Sequence, residues 1–308
     1  MNTLSILIAT KDRTEDLHEC LRSVLSQDLQ PSEVIIVDQS VRPQGEAVTA
    51  LFSGSRVWLR YDYAPALRGL THARNRALDQ ATSSVVLFLD DDVVLNPGYL
   101  RAMLSVFDDD PAERIGGAGG LITNLPETMS TAQRVRSWLF YRGPFSVERD
   151  ALQFHLRPSA QPRRALRLYG SNMAFRRRVV DALRFDESYT GYSFGEDRDF
   201  CVLAGHQCEL RWVPQATLIH KETPRSRLDR ERFCELRVLS WLRFFHLCEP
   251  KTLVTRLSYL WLNVGFAVLL LKVWDLSTVR GTLRGFRRLF AIQFGKARLL
   301  EALSEGWR

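Results

Sequence analysis

Short apolar runs of strand length alternate with segments of helical periodicity in the N-terminal part of the chain. Residues 4–9 form a run rich in branched side chains, and helical spacing then relates Leu17, Leu21, Val24 and Leu25. This alternation predicts an α/β fold with a mainly parallel central sheet that helices cover on both faces. The predicted strands are residues 4–9, 34–37, 57–61 and 85–89, and the predicted helices are residues 14–27 and 71–81.

Polar residues directly follow three of the predicted strands, at residues 10–12, 38–40 and 90–92. Because ligands of parallel sheets bind beyond the carboxyl ends of the strands, we expect a functional site there. In the third segment, strand alternation sends Asp90 and Asp92 to one side and Asp91 to the other. Mg²⁺ prefers one or two carboxylates together with phosphate oxygens. The cluster therefore predicts a divalent cation with a diphosphate, and a solvated acidic turn is the alternative.

The periodicity breaks down from about Ile122 to Arg167, in an aromatic and basic stretch that we interpret as an insertion over the site. Its notable side chains are Trp138, Phe140, Tyr141, Phe145, Arg163 and Arg164. Order resumes at residues 170–175, and a helix is predicted from about Arg176. Two short strands are predicted at residues 210–213 and 217–219, and the pattern beyond His220 is helical.

Basic charge is concentrated in the C-terminal part of the chain. Residues 1–220 carry 25 Lys and Arg against 27 Asp and Glu, whereas residues 221–308 carry 17 against 8. Arginines spread over an apolar helical tail favour an anionic membrane surface and not a nucleic acid, which would require exposed aromatic platforms or a reading helix. Five cysteines without a Cys-x-x-Cys pair, and a first apolar run too short for a secretory leader, predict the cytoplasm.

Two segments of the tail predict how it meets a membrane. Residues 257–271 are 15 uncharged, mostly apolar residues, fewer than the roughly 20 that span a bilayer. The next segment interleaves basic and apolar residues in an amphipathic pattern: Arg280, Leu283, Arg284, Phe286, Arg287, Arg288, Leu289 and Phe290. We predict peripheral or monotopic attachment to the cytoplasmic face of the cell membrane. Packing against the rest of the chain or a partner is the alternative.

Five motifs, in order along the chain, resemble those of family 2 glycosyltransferases with the GT-A fold. They are IATKDR at residues 8–13, VD at 37–38, ARN at 73–75, FLDDD at 88–92 and ED at 196–197. The resemblance implies a GT-A nucleotide-diphospho-sugar transferase fold for residues 1–222. A nucleotide-binding half would cover about residues 1–121 and an acceptor-side half about 122–222. Residues 223–308 would follow as a helical, membrane-associating tail.

The resemblance also implies roles in binding a nucleotide-diphosphate sugar. Thr10, Asp12 and Asp38 would hold the base and ribose, with help from Asp90 at the ribose. Arg74 would face the diphosphate, for which an exposed helix charge is the alternative, and Arg13 and Asp91 join the same donor-binding set. Asp92 would bind Mg²⁺ or Mn²⁺. Lys11 and Gln39 depart from the family's usual residues, so the base stays open.

Three further residues are candidates for the metal and the proton. The imidazole of His220 follows a short predicted strand and could complete the metal shell or contact the diphosphate, and a structural role is the alternative. Glu196 and Asp197 begin a predicted helix, where the helix dipole favours anions; a simple helix-terminal charge is the alternative. The resemblance implies that Asp197, with Glu196 second, takes the proton of the acceptor hydroxyl in an inverting transfer. The acceptor would be a glycan or a lipid-linked molecule in cell-surface polysaccharide synthesis.

Other classes of function remain as alternatives. Asp90 could be the nucleophile of a haloacid-dehalogenase-type phosphatase, although such enzymes begin near this motif. A dinucleotide oxidoreductase is disfavoured because Ile122 occupies the last glycine position of the pattern that begins at Gly117. The non-enzyme alternative is a membrane-bound scaffold.

Overall fold

The computed structural model describes residues 2–125, 130–140, 160–189, 193–222, 229–250, 252–270 and 275–293. The strands in these ranges are β1 (Leu4–Thr10), β2 (Glu33–Asp38), β3 (Trp58–Tyr63), β4 (Val85–Asp90), β5 (Val93–Leu95), β6 (Ile115–Ile122), β7 (Arg163–Ala165), β8 (Asn172–Arg176) and β9 (Glu209–His220). The helices are α1 (Thr14–Leu25), α2 (Gly45–Leu51), α3 (Leu70–Leu78), α4 (Tyr99–Asp108), α5 (Thr131–Phe140), α6 (Arg177–Ala182), α7 (Glu196–Gly205), α8 (Arg230–Leu247), α9 (Leu253–Leu270) and α10 (Leu276–Gln293). Tyr141 and Phe145 lie outside the described residues.

The strands form one mixed sheet in the order β3-β2-β1-β4-β8-β6-β9-β5, with β7 paired to β9. The first four neighbours, β3, β2, β1 and β4, are parallel, as predicted. Beyond β4 the sheet is mixed, which corrects the prediction of a mainly parallel sheet in that part, although β6 and β9 still pair in parallel. There, β8 runs antiparallel between β4 and β6, and β5 and β7 run antiparallel to β9. Apolar periodicity identifies a strand but carries no information about its direction in the sheet.

Strand alternation separates two apolar cores on the two faces of the sheet. Ile6 and Ile8 of β1 face the core that includes α1 and α4, whereas Leu7 faces the core that includes α3. On α1, Leu17 and Leu21 are completely buried, as their helical spacing predicts. Burying a side chain of this size stabilises the fold by roughly 1.5–3 kcal/mol. These cores hold the strand ends of the site in a fixed arrangement.

Several glycines of strand β6 lie at positions where a larger side chain would not fit. A Cβ on Gly116 would lie 2.2 Å from Sγ of Cys208, and a Cβ on Gly120 would lie 2.4 Å from the backbone oxygen of Ala216. A dinucleotide-binding fingerprint would instead place its glycines in the turn between a strand and a helix. The glycines of β6 therefore serve close packing inside the sheet.

Two predictions for the second half of the sequence need correction. The region 122–167, predicted to be irregular, contains helix α5 and strand β7. The two strands predicted at residues 210–213 and 217–219 are one strand, β9. Its pairing with β6 shifts register between Gly120 and Leu121, so residues 214–216 form an irregularity within a continuous strand. The local break in the apolar pattern marks this irregularity and not the end of a strand.

The C-terminal helices α8, α9 and α10 share an apolar core of their own that also contacts α7 through Val202 and Leu203. Arg284 and Arg288 of α10 form ion pairs of 2.7 and 3.1 Å with Glu231 and Glu235 of α8. These two arginines, predicted to face a membrane, are thus partly engaged within the protein. In the described part of the chain, each helix is too short or too polar to span a bilayer.

The close packing of β6 predicts that replacement by alanine has different effects on stability at two glycines, Gly120 in β6 and Gly205 in α7. Gly120→Ala should lower the free energy of unfolding by about 1–3 kcal/mol, because the added methyl group meets backbone that cannot move aside. Gly205→Ala is the control, since a Cβ there meets nothing within 4 Å and alanine favours the helix by up to about 1 kcal/mol. Urea unfolding measures both. Equal stabilities for the two variants would contradict this account of β6.

Candidate functional site

The carboxyl ends of β1, β2 and β4 meet at one edge of the sheet. Their parallel registers place Ala9 beside Asp90 and Thr10 beside Asp38. Because β1 lies between β2 and β4, the strand order reverses there and the loops that follow β1 and β4 diverge. The polar segments predicted to border a site therefore share one crevice.

The carboxyl group of Asp91 is held by two residues at and after the end of β1, Thr10 and Arg13. The hydroxyl of Thr10 donates to Oδ2 of Asp91 at 2.7 Å, and Nη1 of Arg13 donates to Oδ1 at 3.0 Å. Arg13 also lies 3.2 Å from Oδ2 of Asp92. Burial raises the pKa of Asp91 to about 7, against the opposing charge of Arg13. Asp91 thus fastens β4 to the loop after β1.

Asp90, Asp92 and His220 form a group that could hold a metal ion. One ligand atom from each lies within 4.8 Å of the others. Pairing of β5 with β9 sets Val93 opposite His220, and Nε2 of His220 lies 3.1 Å from Oδ1 of Asp92. Carboxylate oxygens and one imidazole are suitable ligands for Mn²⁺. They suit Mg²⁺ less well, because Mg²⁺ prefers oxygen ligands. The acidic cluster predicted that Asp90 and Asp92 share a cation, whereas the family resemblance implied the ribose for Asp90 and the metal for Asp92.

The pKa of His220 reflects these neighbours. Burial by itself would lower that pKa, but the hydrogen bond with Asp92 and the negative charge of Asp90 outweigh burial and raise the pKa above its ordinary value. A cation bound to the imidazole would compete with this proton.

Arg74 connects the metal-binding group to the start of helix α7. Its guanidinium donates to Oδ1 of Asp90 at 3.1 Å, to Oε1 of Glu196 at 2.8 Å and to the backbone oxygen of Gly170 at 2.8 Å. Only 3% of Arg74 is exposed, which excludes the alternative of an exposed helix charge. One buried cation therefore neutralises carboxylates from both halves of the site.

Glu196 and Asp197 occupy the first turn of α7 and differ in protonation. Burial, and then the negative charge of Asp197, raises the pKa of Glu196 to about 8. Burial would also raise the pKa of Asp197, but the charge and hydrogen bond of Arg167 outweigh it and hold that pKa below its ordinary value. Nη2 of Arg167 donates to Oδ2 of Asp197 at 3.1 Å, and the N–H of Arg198 donates to Oδ1 at 2.8 Å. At neutral pH, Asp197 is ionised and Glu196 is mostly protonated.

The backbone at Gly170 contacts Asp197 in the first turn of α7. The N–H of Gly170 donates to Oδ2 of Asp197 at 3.2 Å, and a Cβ on Gly170 would lie 3.1 Å from Cβ of Asp197. Asn172, completely buried, accepts from the N–H of Gly120 at 2.6 Å. The small residue at position 170 thus allows the backbone to approach Asp197 closely.

The side of the crevice beyond β2 contains Asp12 and Asp38. Asp38 is completely buried and accepts hydrogen bonds from the N–H of Ser40, at 2.8 Å, and from the hydroxyl of Tyr61. Asp12 is exposed and accepts from the N–H of Val41 at 2.9 Å. Its φ of 55° lies in the left-handed region that Asp tolerates better than most residues. These contacts join the loops that follow β1 and β2.

Negative charge exceeds positive charge among the groups that converge at this edge. Five carboxyl groups contribute, from Asp90, Asp91, Asp92, Glu196 and Asp197. Three guanidinium groups oppose them, from Arg13, Arg74 and Arg167. If all five carboxyl groups were ionised and His220 were neutral, the excess would be two negative charges. The raised pKa values of Asp91 and Glu196 mean that bound protons offset part of this charge, and a divalent cation would offset it in their place.

Two residues that hold predicted site residues, Arg167 and Tyr61, were not predicted from the sequence. Arg167 lies at the end of the stretch that showed no periodicity, so no pattern linked it to Asp197. Tyr61 lies on β3, and its hydroxyl reaches Asp38 only because β2 and β3 pair in parallel. A basic residue a few positions before Gly170 was the one signal available for Arg167.

The sequence model of glycosyl transferase family 2 matches residues 5–184, more than half of the chain. A glucosyl-dolichyl phosphate glucuronosyltransferase of Haloferax volcanii is 25% identical over 180 residues, which cover 57% of this chain and 53% of the relative. A GalNAc(5)-diNAcBac-PP-undecaprenol beta-1,3-glucosyltransferase of Campylobacter jejuni is 27% identical over 120 residues, 38% of each chain. The match thus spans about half or less of these relatives' length.

Two solved structures are similar in fold over 99% of this chain. The mannosyltransferase PcManGT from Pyrobaculum calidifontis, in complex with GDP-Man and Mn²⁺, has a TM-score of 0.58 at 14% identity over 86% of its own chain. S. aureus TarS 1-349, in complex with UDP-GlcNAc, has a TM-score of 0.57 at 15% identity over 90% of its own chain. The fold of this chain is therefore GT-A-like, with a mixed sheet.

The metal-binding group can be tested with Mn²⁺ by itself. Asp92→Asn should weaken Mn²⁺ binding about 10-fold or more, because an amide oxygen carries no charge to offset the cation. Electron paramagnetic resonance of free Mn²⁺ measures the affinity. Asp28→Asn, at a surface ion pair with Arg101, is the matched control and should bind as the wild type does. Unchanged binding by Asp92→Asn would remove Asp92 from the metal site.

Proposed function

The chain belongs to glycosyl transferase family 2, and we propose that it moves a sugar from a nucleotide-diphosphate donor to a hydroxyl of a lipid-linked or glycan acceptor, with inversion at the anomeric carbon. The observation that carries the proposal is the convergence of Asp92, Arg74 and Asp197 on one crevice. Asp90 links them, since it joins Asp92 in the metal-binding group and pairs with Arg74. Arg74 in turn pairs with Glu196, the neighbour of Asp197.

The donor-binding side of the proposal follows from charge. Asp90, Asp92 and His220 would hold Mn²⁺ or Mg²⁺, which when bound neutralises charge on the diphosphate. Arg74 would add positive charge from behind Asp90, with which it pairs, on the side where the diphosphate would lie. Asp12 and Asp38, with Thr10, lie on the side of the crevice beyond β1 and β2 and would contact the base and ribose. Arg13 and Asp91 would support that set by joining the loop after β1 to β4.

Asp197 is a better candidate than Glu196 for the general base. A base must be unprotonated when the acceptor arrives, and the lowered pKa of Asp197 keeps it ionised at neutral pH. Glu196, with a pKa raised to about 8, is mostly protonated there. The two carboxyl groups thus divide the roles: Asp197 accepts a proton, and Glu196 with Arg74 shapes the wall beside it.

The proposed step is a direct displacement. The acceptor hydroxyl gives its proton to Asp197 while its oxygen bonds to the anomeric carbon. The bond from that carbon to the diphosphate oxygen breaks, and its electron pair leaves with the nucleotide diphosphate. Attack from the opposite face inverts the configuration.

The alternatives receive less support. A phosphatase would require Asp90 as a free nucleophile, whereas here Asp90 pairs with the buried Arg74, and the family match begins at residue 5 and not near the acidic motif. A scaffold has no need of five converging carboxyl groups, which are costly to bury.

Donor binding and transfer test the proposal together. Nucleotide-diphosphate sugars with Mn²⁺ should raise the melting temperature of the wild type, because a ligand that binds the folded state stabilises it. Asp197→Asn should show the same shift but transfer sugar about 10²-fold more slowly, as expected for a lost base. Release of the nucleotide diphosphate in the presence of acceptor measures transfer.

Asp181→Asn, at a surface ion pair with Arg177 on α6, is a control carboxylate outside the crevice and should retain transfer. If no nucleotide sugar stabilised the wild type, the proposed class of donor would be wrong. If Asp197→Asn instead lost donor binding and kept its turnover, Asp197 would belong to the nucleotide pocket.

We also propose that the C-terminal helices lie on an anionic membrane surface, at the cytoplasmic face of the cell membrane, where lipid-linked acceptors are found. The face of α9 supports this, because large apolar side chains with helical spacing are exposed along it: Leu253, Leu257, Leu260, Val264 and Val268. On α10, exposed apolar and basic residues alternate along one face: Leu276, Arg280, Leu283, Arg287 and Phe290. An interfacial helix presents this combination to lipid.

Vesicle flotation tests the membrane surface. The wild type should bind phosphatidylcholine vesicles more strongly when they contain phosphatidylglycerol. The double variant Leu257→Glu, Leu260→Glu should bind at least about 10-fold more weakly, since each leucine withdrawn from lipid costs roughly 1.5–3 kcal/mol. Trp58→Glu, an exposed apolar residue on the edge strand β3, is the control. Equal binding by both variants would contradict the proposed surface.

A further inference from the structure

Helix α8 contacts the catalytic helix α7 through buried charge directly beyond the proposed base. The two residues after Asp197 are Arg198 and Asp199, and 2% and 6% of their surfaces are exposed. Nη2 of Arg198 donates to Oδ1 of Asp199 at 2.9 Å and to the backbone oxygen of Ser240 on α8 at 2.9 Å. The first turn of α7 is therefore tied to α8 and not only to the sheet.

Aromatic rings of α8 enclose Arg198. Its guanidinium lies 4.5 Å from the ring centroid of Trp241 and 4.7 Å from that of Phe244. A buried guanidinium between two rings, with hydrogen bonds in its own plane, has little freedom to rotate. Its backbone N–H meanwhile donates to Oδ1 of Asp197, so a fixed Arg198 also fixes the donor that orients the base.

A second arginine of α8 closes the network from the other side. Arg243 is completely buried, and its guanidinium lies 4.1 Å from the ring centroid of Tyr189. It donates to Oγ of Ser188 at 2.8 Å and pairs with Asp186, and its Nε lies 3.7 Å from Oδ2 of Asp199. The hydroxyl of Tyr189 donates to that same oxygen at 2.6 Å. Asp199 is thus held from both α8 and the segment before α7.

We propose that Arg243 and Tyr189 are positioning residues for the transfer: with Arg198 and Asp199, they clamp the first turn of α7 to α8 and thereby hold Asp197 in the orientation that accepts the proton. This inference rests on the proposed function, because it assigns the purpose of the network to Asp197. The tail is then part of the catalytic apparatus. Buried ion networks lose much of their energy when one partner is removed, which makes such a clamp sensitive to single substitutions.

Substitutions of two arginines on α8, Arg243 and Arg237, distinguish a positioning role from a general effect on stability. Arg243→Met should lower kcat about 10-fold or more and leave donor affinity within about 2-fold, because the donor side of the crevice is not touched. Arg243→Lys should recover part of kcat, because lysine restores the positive charge but not the planar guanidinium group. The control is Arg237→Met, whose guanidinium lies over the ring of Phe266, 5.0 Å from its centroid, and which should retain kcat.

Tyr189→Phe gives a second, milder variant in case Arg243→Met fails to fold. It removes one hydrogen bond to Asp199 and should also lower kcat at unchanged donor affinity. Hydrogen exchange of the α7 amides provides a readout independent of activity: exchange in the first turn of α7 should be faster in Arg243→Met and Tyr189→Phe than in Arg237→Met.

The outcomes are distinguishable. If both network variants keep the kcat and the α7 exchange of Arg237→Met, the clamp has no positioning role and the inference is overturned. If the wild type transfers no sugar from any nucleotide donor, the proposed function is overturned, whatever the exchange of α7 shows.

Discussion

An excess of buried negative charge at one edge of the sheet is the constraint on which the site depends. Carboxyl groups in a low-dielectric environment repel one another and are costly to bury unless cations lie close by. The fold meets this cost with three arginines from separate elements: Arg13 after β1, Arg74 on α3 and Arg167 before β8. Burial, together with the charge of neighbouring carboxyl groups, nevertheless raises the pKa values of Asp91 and Glu196. A divalent cation held by Asp90, Asp92 and His220 would offset more of the negative charge.

The arginines also divide the crevice into regions with different chemistry. Arg167 holds Asp197 ionised, whereas the neighbouring Glu196 keeps its proton although Arg74 lies 2.8 Å from it. Two adjacent carboxyl groups on one helix turn therefore differ in charge at neutral pH because each meets a different set of neighbours. Helix α8 then holds that turn from behind through Arg198. The C-terminal helices thus have two kinds of surface: inner faces that pack on α7, and outer faces that expose apolar and basic side chains.

Much of the fold could be predicted from the local pattern of apolar residues in the sequence. The strands β1, β2 and β4 and the helices α1 and α3 lie close to their predicted positions, because apolar periodicity reports directly on which face of an element is buried. Asp90 and Asp92 do lie together, with His220, but Asp91 and Asp92 are in a turn after β4, so strand alternation does not explain this grouping. The pattern failed where pairing partners decide the structure. The antiparallel direction of β8, the continuity of β9 through its irregularity and the helix α5 all depend on contacts with distant segments.

By itself, the sequence determined the composition of the site and the edge of the sheet at which it forms. Acidic residues directly after apolar strands must emerge at the carboxyl ends of a parallel sheet, whatever the rest of the chain does. Only the tertiary structure decided which carboxyl group is ionised, which arginine pairs with which acid, and that a C-terminal helix supports Asp197. Those outcomes depend on distances of a few ångströms between segments far apart in the chain, and electrostatic energies vary steeply over such distances.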